Sequence, residues 1–357
     1  MAPPAWILPL AGFGLLIAKL SGLVPAGSTV VLAVATALLV GAVFAAVYHA
    51  EVIALRVGEP FGTLALALAV TVIEGSLIIS MMFSGAVDSS ALARDTVFAT
   101  VMIVCTGVIG LCLFLGSLRH HVVSFRAEGT VPAVAVLATL ATLTLVLPQF
   151  TRASTGPTYS GSQLAFAGIV SLLLYTLYVF IQTVRHRDYF LPERDDADDT
   201  HAPPPGLPAT LLSLGLLVVA LVAVVGLAKI LSPTIEGAVD AAGMPHAVVG
   251  IAIALMVLMP ETLSAVRAAR NGRLQTSMNL ALGSALATIG LTIPAVVVAA
   301  GVLNLPLTLG LPPTEMVLLA LTLLLTAMTV SAGRATLLQG AVHLVVFAVF
   351  IFLAMVP

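Results

Sequence analysis

Two acidic residues stand where an acid costs most. Glu74 lies near the middle of residues 61–83, a run apolar and long enough to cross a bilayer, and Glu261 has the same setting within residues 247–266. A crossing takes roughly 20 apolar residues. An ionised side chain at that depth costs about 2.5–3.5 kcal/mol on insertion scales, so it is rare and marks a functional site by default. No other acidic residue is set deep inside an apolar run. The two carry up to two negative charges, which a low-dielectric interior must neutralise. One divalent cation does so. Two protons also do so, as does a sodium ion with a proton. An empty, doubly ionised site is too costly to carry through a closed protein, so a carrier built on it turns only when loaded. Cation and proton then compete for the same oxygens, and a proton gradient drives cation out.

Calcium is a hard ion that takes about six to eight oxygen ligands, so two carboxylates need carbonyls, hydroxyls or water beside them. Pro260 next to Glu261, and Gly75 next to Glu74, loosen their helices and free carbonyls. Thr71, three residues before Glu74, shares its helical face. Residues 276–294 are unusually polar for an apolar segment. Ser277, Ser284 and Thr288 fall there at i, i+7 and i+11, on one face, and the segment after Glu74 supplies Thr96, Thr100 and Thr106. Any one of these hydroxyls also fits plain small-residue packing between membrane helices. Thr71 and Ser284 are taken as cation ligands beside the glutamates. No cofactor is expected.

The elements that must hold these residues follow from composition. Of 357 residues 60% are hydrophobic and 8% charged, against roughly 25% charged in an average soluble domain, and the mean hydropathy is +1.16. The fold class is therefore an all-α polytopic membrane protein. Apolar runs bounded by Gly, Pro and charges give about eleven crossings: 5–23, 29–48, 61–83, 96–117, 131–149, 163–184, 208–231, 246–266, 276–300, 314–332 and 335–356. The first eighteen residues hold no Lys or Arg, so a retained first helix is expected rather than a signal peptide. Whether 48–57 prolongs the second helix, and how tight the turn near Gly333 is, stay open. Cys105 and Cys112 are seven apart on one helix, about 10 Å along its axis. That is beyond disulfide reach, so both read as packing residues.

Loop arginines and lysines set the orientation. Ten lie on one side (Arg56, Arg119, Arg126, Arg185, Arg187, Arg194, Arg267, Arg270, Arg273, Arg334) and four on the other (Lys19, Arg94, Arg152, Lys229). The first side is cytoplasmic, which puts the N-terminus inside and the C-terminus outside. Residues 185–207, charged and then Pro-rich, read as a cytoplasmic linker. One helix (1–28) precedes a five-helix half (29–184), and another five-helix half (208–357) follows the linker. The glutamate helices occupy corresponding places in halves of opposite orientation, the inverted-repeat plan of secondary transporters, whose site lies near the midplane where the repeats meet.

The run HAEVIALRVGEPFGTLALALAVTVIE, with RDTVFATVMIV, LRHH, QTVRHRDYFLP and LMPETLSAVRAARNGRLQTSMNLALGSALATIGLTIP, closely resembles the bacterial ChaA-type calcium (sodium/potassium)/proton antiporters of the calcium/cation antiporter superfamily. The resemblance covers about 49–296. It implies one helix plus two inverted five-helix repeats, Glu74 and Glu261 as ligands of cation and proton, and Glu59 at the cytoplasmic mouth. The broader Gly-Asn-x-x-Glu pattern is replaced: Val70-Thr71 and Val257-Leu258 stand at its Gly-Asn positions, and Gly283-Ser284-Ala285-Leu286-Ala287 lacks the glutamine of the later pattern. One ligand type, the side-chain amide, is missing.

Other features carry less. Residues 195–199 have a DDxxD spacing but precede APPPG without a second acidic motif, so a solvated linker is expected. His120, His121, His186 and His201 fall in loops, and His343 reads as a hydrogen-bonded packing histidine. No nucleophile–base set or ligand cluster suggests an enzyme, and no basic, aromatic-rich patch suggests nucleic acid. The expectation is an inner-membrane antiporter exporting calcium in exchange for protons, with sodium or potassium sharing the site, in contact with lipid and compatible with an oligomer. A passive cation channel, and a sodium- or potassium-selective proton antiporter without calcium transport, are the alternatives.

Overall fold

The computed structural model describes residues 3–24, 28–58, 61–82, 90–191, 205–245 and 247–356. Eleven helices run through them: α1 (Pro3–Leu20), α2 (Thr29–Val57), α3 (Phe61–Met82), α4 (Leu92–His120), α5 (Ala127–Gln149), α6 (Gly161–Arg185), α7 (Leu207–Ala241), α8 (Ala247–Arg270), α9 (Leu274–Leu303), α10 (Pro313–Ser331) and α11 (Leu337–Met355). Among the described residues nine are long and apolar enough to cross a membrane; Pro4–Leu20 and Leu68–Met82 are shorter apolar helices. The chain is an all-helical, multi-pass membrane protein. Its helices overrun the apolar windows at their polar ends. The second window closes at 48, but α2 continues to Val57 and stops only where Gly58 takes a positive φ of 76°. Both cysteines are free and buried.

The chain forms two compact units. The first holds α1, α2, α3 and α7. Here α2 packs along α7, α1 lies against both, and α3 packs on α2 and α7. The seams are made of small residues, which let helix backbones close up where lipid supplies no hydrophobic drive. Gly12 faces Ala223, Gly41 faces Leu8, and Gly226 leaves room for Leu16, whose Cδ2 would stand 2.4 Å from an added Cβ. At one end of α2 the buried His49 donates from Nε2 to Ala5 O on α1 at 2.8 Å.

The second unit holds the other seven helices around α4, the most thoroughly buried of the membrane-length helices. α8 runs parallel to α4. Gly250 lies against Thr96, where an added Cβ would stand 3.1 Å from the Thr96 backbone N, and far along both helices Gly116 lies near Ala269 O. Between these contacts α4 advances twenty residues and α8 nineteen. The extra residue is taken up by a π-helical turn, Ile103–Val108, in which the Ile109 N–H reaches back five residues to Val104 O. Other π turns lie in α5 (Thr142–Val146), at the end of α6 (Ile181–Arg185) and in α9 (Thr288–Thr292). α6 and α11 open on the same capping box: Gln163 Oε1 accepts from the Ser160 N–H at 3.0 Å, and Gln339 Oε1 from the Thr336 N–H at 2.9 Å.

The turn near Gly333 is more than a turn. Val122–Ser124 (β1) pairs antiparallel with Arg334–Thr336 (β2), Val123 opposite Ala335, so a two-stranded ribbon ties the α4–α5 and α10–α11 connections together. The start of the expected linker is also held. Arg126 Nη1 donates to Asp188 O, Asn279 Nδ2 donates to Phe190 O at 2.6 Å, and Gly129 lets Tyr189 O come close. The acidic run at 195–199 lies outside the described residues.

Candidate ion-binding site

The two glutamates fall in different units, and each has its own surroundings. Glu74 sits on α3 in the first unit, 2% exposed, between the buried Ile73 and the buried Leu77 and Ile78. Thr71 is buried one turn earlier on the same face. An added Cβ at Gly75 would meet no atom within 4 Å, so this glycine leaves open room next to the acid and is not forced by packing. Glu59, expected at the mouth, lies outside the described residues.

Glu261 sits on α8 in the second unit, with both carboxylate oxygens shielded from solvent. Pro260 lies inside the helix just before it. A proline has no N–H to give, so the Met256 carbonyl four residues back loses its helical donor and is available as a ligand. α9 returns antiparallel to α8, and Ser277 Oγ donates to Ala265 O at 2.8 Å. Counting from that contact in opposite directions, Ser284 reaches the level of Leu258. That is three residues from Glu261, about 4.5 Å along the axis at 1.5 Å per residue. Ser284 Oγ is buried with no hydrogen-bond partner among the described residues. Counting along the parallel partner, Glu261 stands eleven residues beyond Gly250, and eleven beyond Thr96 is Gly107, inside the α4 π turn. Counted this way, the Ser284 hydroxyl, the Met256 carbonyl and the α4 π turn fall within about two helical turns of Glu261 along the axis. The carboxylate, the hydroxyl and the carbonyl are oxygen donors, a set that suits a hard cation or a proton.

The remaining candidates separate. Ser277 is committed to Ala265 O and is a packing residue. Thr106 Oγ1 donates to Met102 O within its own helix. Thr96 Oγ1 is buried with no hydrogen-bond partner among the described residues, but it lies at Gly250, eleven residues from the Glu261 level. Thr100, Thr288 and Thr292 are buried, the last two in the α9 π turn. His343 is buried and hydrogen-bonded, as expected: Nδ1 donates to Cys105 O at 2.7 Å and Nε2 accepts from Thr329 Oγ1 at 3.0 Å. The π turns and the Met256 carbonyl are what a reading of side chains alone misses. A cluster of threonine and glycine marks the α4 and α9 turns, Thr106-Gly107 and Thr288-Ile289-Gly290, and is their one trace in the sequence.

The profile of the family described as sodium/calcium exchanger protein matches residues 27–184 and 212–356. The chain belongs to this family of the calcium/cation antiporter superfamily, and it is a membrane transporter, not an enzyme. It is 49% identical over 355 residues to y4hA, an ionic-transporter candidate of Sinorhizobium fredii, covering 99% of this chain and 96% of that one. It is 35% identical over 312 residues to the sodium-potassium/proton antiporter ChaA of Escherichia coli, covering 86% and 84%. Its fold matches the crystal structure of the Ca2+/H+ antiporter protein YfkE with a TM-score of 0.73 at 17% identity, over 99% of each chain.

Proposed function

We propose that this chain is a cation/proton antiporter of the inner membrane that exports calcium, with sodium or potassium sharing the site, and that Glu74 and Glu261 bind cation and protons in alternation. The observation that carries the reading is the burial of two acids in apolar helices, Glu74 at 2% exposure and Glu261 with both oxygens shielded. Buried charges persist only when paired or neutralised, and an exchangeable partner makes that requirement a transport rule. Thr71 and Ser284 add neutral oxygens beside the acids, and Glu59 serves as the cytoplasmic entrance. The two halves, 29–184 and 208–357, act as inverted repeats around residues 185–207. In support, each half has a π turn in the helix after its glutamate helix and a capping box opening its last helix. The arginine bias supports an N-terminus inside and a C-terminus outside.

A sodium- or potassium-selective antiporter is the second reading. It is favoured by the likeness to a relative described as a sodium-potassium/proton antiporter and by the missing side-chain amides beside the glutamates. Transport in proteoliposomes with calcium, sodium and potassium, each under one imposed pH step, separates the two. Calcium movement equal to or faster than the monovalents supports the first reading; monovalent movement without calcium leaves the second. Cation movement with no counter-flow of protons belongs to a passive channel and overturns both.

A further inference from the structure

The α4 π turn has a fastening that the glutamate reading does not use. His343 on α11 is fully buried and reaches this turn: its Nδ1 meets Cys105 O at 2.7 Å, within Ile103–Val108. A carbonyl only accepts, so Nδ1 carries the proton and Nε2 takes the Thr329 hydroxyl hydrogen at 3.0 Å. The approach is built in. Gly110 stands where an added Cβ would lie 2.8 Å from His343 Cβ, and Gly340 where one would lie 2.5 Å from the Phe114 backbone N. The ring therefore cannot be pushed away from α4 without opening the seam. A π turn is less favourable than the α-helix around it and persists where an outside contact holds it. The parallel register with α8 puts this turn at the depth of Glu261.

We propose that His343, oriented by Thr329, is a positioning residue for cation binding: by holding Cys105 O it keeps the α4 π turn, and so the backbone oxygens at the Glu261 level, in ligand geometry. This rests on the reading of Glu261 as a cation ligand. Losing the fastening frees Cys105 O to reorient within the turn, which moves backbone oxygens away from the cation but leaves the carboxylates that carry protons.

Two polar substitutions split the ring's two contacts. H343N keeps a donor near Nδ1, within reach of Cys105 O, and H343Q moves its amide toward the Nε2 position and Thr329. In proteoliposomes with calcium or sodium as the cation, H343Q is expected to raise KM about ten-fold with the maximal rate within about two-fold, and H343N to stay within about two-fold of the unsubstituted protein in both. An H343Q protein with unchanged KM, or equal effects of the two substitutions, overturns the proposal. E261Q measured in parallel separates the two possible failures. Exchange that survives E261Q overturns the glutamate reading itself. Exchange lost in E261Q, with H343Q at normal KM, overturns only the role given to His343.

Discussion

On the proposed reading, protonation and cation binding draw on the same oxygens, so acidity and affinity oppose each other at Glu74 and Glu261. As pH falls, protons occupy the carboxylates and the apparent cation affinity drops, by about ten-fold per pH unit for each proton displaced. Cation binding followed from pH 8 to pH 6 checks the sign; an affinity that does not move shows that the ligands are not shared. The two serines of α9 make a sharper contrast. Ser284→Ala removes an uncommitted hydroxyl near Glu261 and is expected to raise the cation KM about three- to ten-fold with thermal stability unchanged. Ser277→Ala breaks the bond to Ala265 O and is expected to cost about 0.6 kcal/mol of stability with KM unchanged. Transport kinetics and detergent melting on both proteins read the difference. In the sequence these serines look alike, since they share a face. Which one is spent on packing depends on the α8–α9 register, and no local pattern carries that. The glutamates were legible for the opposite reason: a charge in an apolar run needs no register to stand out.

Helices are legible wherever composition alone sets them, and the eleven spans follow from apolar length. What escapes is the geometry inside a helix. Nothing in residues 103–108 dictates a π turn; it follows from the packing of α4 against α8 and α11, where two parallel helices keep step although one has a residue more. Strands of three residues escape as well, because Val122–Ser124 and Arg334–Thr336 are too short for alternation to register. The small-residue seams give a prediction at this scale. Gly250→Ala puts a methyl 3.1 Å from the Thr96 backbone N, which cannot swing aside, and is expected to cost about 1–3 kcal/mol by overpacking. Gly215→Ala meets no atom within 4 Å and is expected to melt no lower than the parent protein. Equal melting temperatures for the two would show that the α4–α8 seam does not depend on that close approach.

Over the whole chain, family membership and the membrane fold agree with the composition, and on the proposed reading the two buried acids give that fold its task. A transporter of this kind needs little chemistry beyond a rule about which loaded states can turn. Sidedness belongs to the same scale. Labelling of single cysteines at each terminus in intact cells is expected to reach the C-terminus and spare the N-terminus, and the reverse pattern would invert the assigned entrance. The most direct test is proton-driven cation uptake by inverted vesicles containing the parent protein, E74Q or E261Q at matched membrane levels. The account predicts uptake by the parent protein alone, with both glutamine variants inserted and silent; proton-driven uptake at the parent rate by either variant would contradict it.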